Sequence, residues 1–185
     1  MKVYIDIGTN LMQGFREISQ IENISDEWKK IFVEPNPECW SDIENGIKYL
    51  KNSIFYKKAA SSENKIVNLI TRSDNEKDMA ATIMGESYLK DSLSKWSIFV
   101  DKFNTYEIET ITMDDIFKEI NHDDDVVLKL DAEGVEYEIL DDILKKSFNI
   151  KKIYCEFHVH CPEDLIRKNE LINRISEKIQ FIEWH

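Results

Sequence analysis

The chain has 185 residues, 36 acidic against 24 basic, for a net charge of −12; such a balance repels phosphate backbones and argues against nucleic-acid binding. An apolar share of 42% and an aromatic share of 11% exclude the disordered class and suit one domain, 1–185, long enough to bury a core. Cys39, Cys155 and Cys161 form no CxxC pair and no apolar run reaches membrane-spanning length, so the expectation is reduced thiols in a cytoplasmic protein without a membrane partner.

The run Val3 to Ile7 reads as a buried strand that carries Asp6 and passes into the turn Gly8-Thr9-Asn10. A strand leaving through a glycine turn ahead of a helix is where an α/β domain holds a nucleotide-like ligand. A helix is predicted over Leu11 to Glu22 and a second strand over Lys30 to Glu34. Pro35 and Pro37 keep the next residues extended until a helix starts, with Asn36 as its cap and Pro37 at its first position. Trp40, Ile43, Ile47 and Leu50 mark the buried face of that helix. Ser53 to Ala60 reads as a third strand, and Lys65 to Thr71 and Tyr106 to Thr112 as two more. The polar stretch before the last of these carries Tyr88, Trp96, Phe99 and Phe103. Trp96, Phe99, Phe103 and Tyr106 read as core, with a lid over an acceptor as the alternative.

Thr112 and Asp115 resemble a capping box ahead of the apolar face Met113, Ile116, Phe117 and Ile120. His122 to Asp125 then reads as a solvated turn. Val126 to Asp131 is a second buried strand, which feeds through Ala132-Glu133-Gly134 into a helix striped by Val135, Ile139, Leu140, Ile143 and Leu144. That helix ends on Lys145 and Lys146, favourable at a C-terminus. A strand over Ile150 to His158, a helix over Pro162 to Lys178 and a strand over Ile179 to Trp184 close the pattern. Strands alternating with helices imply an α/β fold, a parallel sheet covered on both faces, with one cleft at the carboxyl ends of its strands.

The first turn discriminates among ligands. A dinucleotide fold wants Gly-x-Gly-x-x-Gly, whereas this chain offers Gly8-x-Asn10-x-x-Gln13, and it has no Gly-Lys-Ser/Thr either. A ligand without phosphates needs only one tight turn, and S-adenosylmethionine is such a ligand; its cationic ammonium and sulfonium suit an acidic strand end such as Asp6. Glu34 closes the second strand, where a carboxylate can accept from both ribose hydroxyls at roughly 1.5–3 kcal/mol each; the plainer alternative is a strand exit into solvent.

Asp6-Ile7-Gly8-Thr9-Asn10, Glu34-Pro35-Asn36-Pro37, Leu128 to Glu136 with its Lys129-x-Asp131-x-Glu133-Gly134 block, and Tyr154-Cys155-Glu156-Phe157-His158 occur in this order. Together they resemble the FkbM-type methyltransferases of the S-adenosylmethionine-dependent, Rossmann-like class I group. The resemblance implies a mostly parallel central sheet with helices on both faces and methyl transfer to a hydroxyl, often on a sugar or secondary metabolite. It implies that Asp6, Gly8, Thr9, Asn10, Glu34, Pro35, Asn36 and Asp131 hold the cofactor, with Ala60 and Ser61 near the adenine. The chain departs from the pattern at Met12, where the family commonly has a glycine shortly after the turn. It departs again in offering one strand after the last helix, where the fold often finishes with an antiparallel pair.

If the strands ending at Glu34, Asp6, Asp131 and Glu156 are neighbours, their carboxylates line one edge and raise one another's pKa unless cations intervene. Lys129 is one such cation and shares a strand face with Asp131, as a catalytic partner or as a structural ion pair. Methyl transfer to an alcohol needs alignment and a base. Asp131 is the first candidate for base or positioner, with a helix-entry carboxylate as its plain alternative. Glu133 fits that plain role, as a first-turn acid. Glu156, His158 and His160 share a face if the strand runs that far, and His158 is a candidate base or acceptor contact; His160 reads as loop surface. Asp131, Glu156 and His158 are of metal-ligand type but lack a recognised spacing, so no metal is assigned. Recognition of a small-molecule or glycan acceptor falls to loops or to a second subunit in a homodimer. The competing functions are a catalytically inactive cofactor-binding module of the same fold and a nucleotide-sugar or NAD-type enzyme.

Overall fold

A computed structural model describes residues 1–73, 81–95, 98 and 102–184. In chain order the first half comprises β1 (Lys2–Ile7), α1 (Gln13–Ile21), β2 (Lys29–Val33), α2 (Trp40–Ile47), β3 (Ser53–Tyr56), β4 (Ala59–Ala60) and β5 (Ile66–Arg72). The second half comprises α3 (Glu86–Ser94), β6 (Phe103–Ile111), α4 (Met113–Phe117), β7 (Asp125–Leu130), α5 (Glu136–Lys146), β8 (Ile150–Cys155), α6 (Pro162–Ser176) and β9 (Gln180–Glu183). Six strands form one sheet in the order β3-β2-β1-β7-β8-β9, and every neighbouring pair in it is parallel.

Period-two alternation sorts the two faces. Val3, Ile5, Ile7, Leu128 and Leu130 pack with Met113 and Ile116 of α4, Ile139, Leu140 and Ile143 of α5, and Leu171 and Ile175 of α6. Tyr4, Phe32, Val127 and Tyr154 face the other way, onto Ile18 of α1 and Ile43 of α2. Both faces are therefore covered, as the alternating sequence pattern requires. The chain winds outward from β1 through β2 to β3, then returns to β7 and winds outward through β8 to β9. The crevice between β1 and β7 is the switch point at which such sheets bind ligands.

Several local caps follow the sequence. Asn36 accepts from Glu38 N at 3.1 Å with Pro37 next in line, opening a 3-10 turn that leads into α2. Thr112 caps α4 by accepting from Asp115 N at 3.2 Å. Lys146 at the end of α5 pairs with Asp142 at 3.0 Å and Asp114 at 2.5 Å.

Four elements differ from the sequence expectation. The predicted strand Ser53 to Ala60 is two: β3 belongs to the main sheet, while β4 joins β6 and β5 in a second, three-stranded sheet. The break falls at Lys57 and Lys58, which pair with Glu44 of α2 and Glu109 of β6, one on each sheet's side. Helix α3 stands in the stretch read only as polar, opened by Gly85 at φ +96°. The strand predicted to reach His158 stops at Cys155, because β7 ends at Leu130 and only Glu156 N still reaches its carbonyl, at 3.0 Å. Finally, β9 pairs parallel with β8, so a parallel strand stands where the family resemblance suggested an antiparallel pair.

Candidate functional site

The cleft opens above the β1–β7 switch point, and its floor is the turn after β1. Gly8 is at φ +73°, and a Cβ there would lie 1.6 Å from the Asp131 carbonyl oxygen. Only glycine lets the β1 exit and the β7 exit approach so closely. The amides of the turn are already engaged. Gly8 N and Thr9 N donate to Val33 O at 3.0 and 3.2 Å, and Met12 N donates to Thr9 O at 2.8 Å. Asn10 N donates to Glu34 Oε2 at 2.7 Å, and Asn36 N to Glu34 Oε1 at 2.8 Å. Glu34 is thereby clamped at the cleft wall with 5% exposure. Burial lifts its pKa from 4.5 to about 7, with the Asn36 and Asn10 amides pulling the other way.

One half of the cleft joins Glu34, Pro35, Gly8 and Asn10 to an apolar wall of Ala59, Ala60, Leu69, Ala81 and Ile83. The other half runs over Gly14, Lys129, Asp131, Glu156, His158 and Trp184. Gly8, Asn10, Asp131 and Glu133 line both halves, making them one trough. Beneath it, Lys129 is buried with its ammonium 3.4 Å from Asp6 Oδ1, 3.2 Å from Asp131 Oδ2 and donating to Gly8 O at 2.5 Å. It also sits 5.3 Å above the Trp184 ring. Burial lowers the Lys129 pKa, but Asp6 and Asp131 together outweigh that and leave it raised. Burial raises Asp6 to about 6, with Lys129 opposing. One buried ammonium thus holds two strand-end carboxylates together.

The far end of the trough is built from the loop before α5 and the loop after β8. Glu133 adopts a left-handed backbone at φ +48°, outside the helix, so it is not the first-turn acid that the sequence suggested. That place belongs to Glu136, fully buried, which accepts from Ala132 N at 2.9 Å and Gly134 N at 3.0 Å. His158 lies between the two acids, Nδ1 at 2.9 Å from Glu136 Oε1 and Nε2 at 3.3 Å from Glu133 Oε2. Burial pulls His158 down, but Glu136 and Glu133 dominate and raise its pKa to about 10. Burial raises Glu133 to about 8, countered by His158 and assisted by Asp131.

The structure therefore brings together Asp131, Lys129, Glu156, His158, Gly8, Thr9, Asn10, Glu34, Pro35 and Ala60 along the trough. Other residues singled out in the sequence sit behind it. Asp6 is fully buried beneath Lys129, and Asn36 is fully buried as a helix cap. Ser61 donates its hydroxyl to Glu138 Oε1 at 3.1 Å. His160 is half-buried rather than loop surface, its ring 3.9 Å from that of Tyr88. Phe103 and Tyr106 pack in the second sheet's apolar clusters, as core; Trp96 and Phe99 lie outside the described residues. Among the described residues Cys39, Cys155 and Cys161 are in no disulfide. Among the described residues no helix is long and apolar enough to cross a membrane.

The sequence reading assigns no site role to Ile83, Tyr88, Glu136 or Trp184. Glu136 closes the Leu128-to-Glu136 segment, and its spacing of three from Glu133 is the available signal. Tyr88 lies where a Cβ on Gly134 would meet its ring at 2.6 Å, so α3 closes over the β7–α5 turn.

The family described as Methyltransferase FkbM domain matches residues 6–180. No match is found among curated proteins, and none among solved structures.

Proposed function

The chain belongs to the FkbM methyltransferase family, and from that premise we propose that it is an S-adenosylmethionine-dependent methyltransferase acting on a hydroxyl of a sugar or other small molecule. One observation carries the choice of cofactor: the amides of Gly8, Thr9, Asn10 and Met12 already have partners within the fold. A pyrophosphate needs free, converging N–H groups, and these four do not supply them. A ligand read by carboxylates suits the same turn.

The residues present fit that ligand. Glu34, held by two backbone amides, has further lone pairs for the ribose hydroxyls. The wall of Ala59, Ala60, Leu69, Ala81 and Ile83 suits an adenine ring. The acidic trough between Asn10 and Asp131 suits a cation. When bound, the cofactor supplies a sulfonium-activated methyl group that passes to the acceptor oxygen and leaves a neutral thioether.

The chain's own residues supply position and proton traffic. Lys129 fixes Asp131 through Oδ2, leaving Oδ1 to align the acceptor hydroxyl and take its proton as the new O–C bond forms. Both His158 nitrogens are engaged by carboxylates, so the imidazole orients Glu133 and Glu136 rather than serving as the base. Glu156 completes the acidic rim on which a polyhydroxylated acceptor can dock.

The test is methyl transfer from labelled cofactor to a panel of sugars and hydroxylated metabolites, read by mass spectrometry. Asp131→Asn should keep S-adenosylhomocysteine affinity within a few-fold and cut turnover sharply. Equal turnover in variant and wild type would reject Asp131 as the base. Cofactor binding without turnover on any acceptor would favour a non-catalytic binding module.

A further inference from the structure

The geometry points to a divalent-cation site at the acceptor end of the trough, with Asp131, Glu133 and His158 as ligands and an oxygen-preferring ion of the Mn2+ or Mg2+ class as occupant. One ligand atom from each of these residues lies within 4.8 Å of the others. An octahedral ion with bonds of about 2.1 Å places its donors about 3–4 Å apart, so small rotamer changes close the set. The two carboxylates favour Mn2+ or Mg2+, and the imidazole, a ligand that suits transition metals, favours Mn2+ of the two.

Two observations outside simple acidity support it. The first is the partner behind the histidine. Glu136 is fully buried, is itself fixed by the Ala132 and Gly134 amides, and grips His158 Nδ1 at 2.9 Å. A carboxylate on the remote nitrogen is how metal-ligating imidazoles are oriented, and here it aims Nε2 into the cluster. The second is that Glu133 Oε2 is buried without a hydrogen-bond partner, although it lies 3.3 Å from His158 Nε2 as an ion pair. A cation between them would displace the Nε2 proton to solvent and take both that nitrogen and that oxygen as ligands. The ligands come from the loop after β7 and the loop after β8 and all three line the trough, where water or an acceptor oxygen completes the set; Asp131 Oδ1 spends one lone pair on the ion and keeps the other for the acceptor proton. This inference rests on the reading of the trough as a methyl-transfer site for its purpose, but not for its chemistry.

The experiment titrates chelator-treated full-length protein with Mn2+, followed by electron paramagnetic resonance. The sample's S-adenosylhomocysteine binding is measured separately by calorimetry. One Mn2+ per chain is expected, bound 10-fold or more weakly in Glu133→Gln and in His158→Ala. In wild type, where no substitution can upset folding, Mn2+ should broaden the His158 ring signals before those of exposed His122, whose neighbour Asp123 lies 3.3 Å away. Wild type that binds S-adenosylhomocysteine but no Mn2+ overturns the metal site and leaves the proposed function standing. Mn2+ binding undiminished in both variants, or broadening of His122 first, also overturns it. Loss of Mn2+ in the variants from a protein that never binds S-adenosylhomocysteine supports the site and overturns the proposed function instead.

Discussion

Replacing Glu34 with Gln isolates the residue on which cofactor recognition turns. In the folded protein without ligand the Glu34 carboxyl keeps its proton up to about pH 7, against 4.5 for an ordinary glutamate. Each pH unit of such displacement is worth about 1.4 kcal/mol, and the group is almost fully buried, so the total is about 3 kcal/mol. The folded state binds more protons than the unfolded state in this window, so stability falls as pH rises from about 4.5 to about 7 and is level above. Glu34→Gln removes that slope. Its unfolding free energy relative to wild type should swing in its favour by about 3 kcal/mol between pH 4.5 and 8, measured by urea unfolding without ligand. The cofactor should show the reverse. Loss of charge-assisted acceptance from two ribose hydroxyls, at about 1.5 kcal/mol each or more, weakens S-adenosylhomocysteine binding about 100-fold at pH 8. Parallel pH profiles for the two proteins would refute the buried-carboxyl argument. Affinity retained within threefold would refute the ribose contact.

Further substitutions probe the scaffold. Gly8→Ala introduces a Cβ 1.6 Å from the Asp131 carbonyl oxygen at φ +73°; left-handed strain and forced separation of β1 and β7 should cost at least about 2 kcal/mol in urea unfolding, and wild-type stability would contradict the close approach. Gly46→Ala puts a Cβ 2.3 Å from Met12 Sδ and should cost about 1–3 kcal/mol. In a Met12→Ala background the same change should become neutral or stabilising by up to about 1 kcal/mol, because helix propensity alone remains; additivity would show that the two side chains do not meet. Lys129→Met leaves Asp6 buried without its cation and should cost about 3–5 kcal/mol, measured by denaturant unfolding at pH 8; a loss under 1 kcal/mol would mean that the ion pair does not hold the two strand ends.

The strands of the main sheet were legible because buried parallel strands read as unbroken apolar runs, and Val3 to Ile7 and Val126 to Leu130 are both of that kind. The acidic exits of β2, β7 and β8 were legible too, since parallel neighbours bring Glu34, Asp131 and Glu156 to one edge, whereas Asp6, level with Phe32 and Lys129, lies buried behind that edge. What escaped the sequence depends on contacts remote along the chain. The fate of Ala59 and Ala60 turned on pairing with Thr110 and Ile111. Helix α3 has a weak apolar face of Leu89 and Leu93 and is fixed by packing on Ile70. Met12 stands in left-handed backbone at φ +62°, near where the resemblance led us to expect a glycine, and Gly46 across the interface leaves room for its sulfur. Glu133 reads in the sequence as a first-turn acid, but left-handed backbone at Glu133 and Gly134 holds the helix back to Glu136, which takes that place.

The account stands most directly on a crystal structure of the protein with S-adenosylhomocysteine. It predicts both ribose hydroxyls within hydrogen-bond distance of the Glu34 carboxylate, the adenine against Ala60 and Ile83, and the sulfur facing Asp131. Density for the ligand elsewhere, or an adenosine that leaves Glu34 untouched, would contradict it.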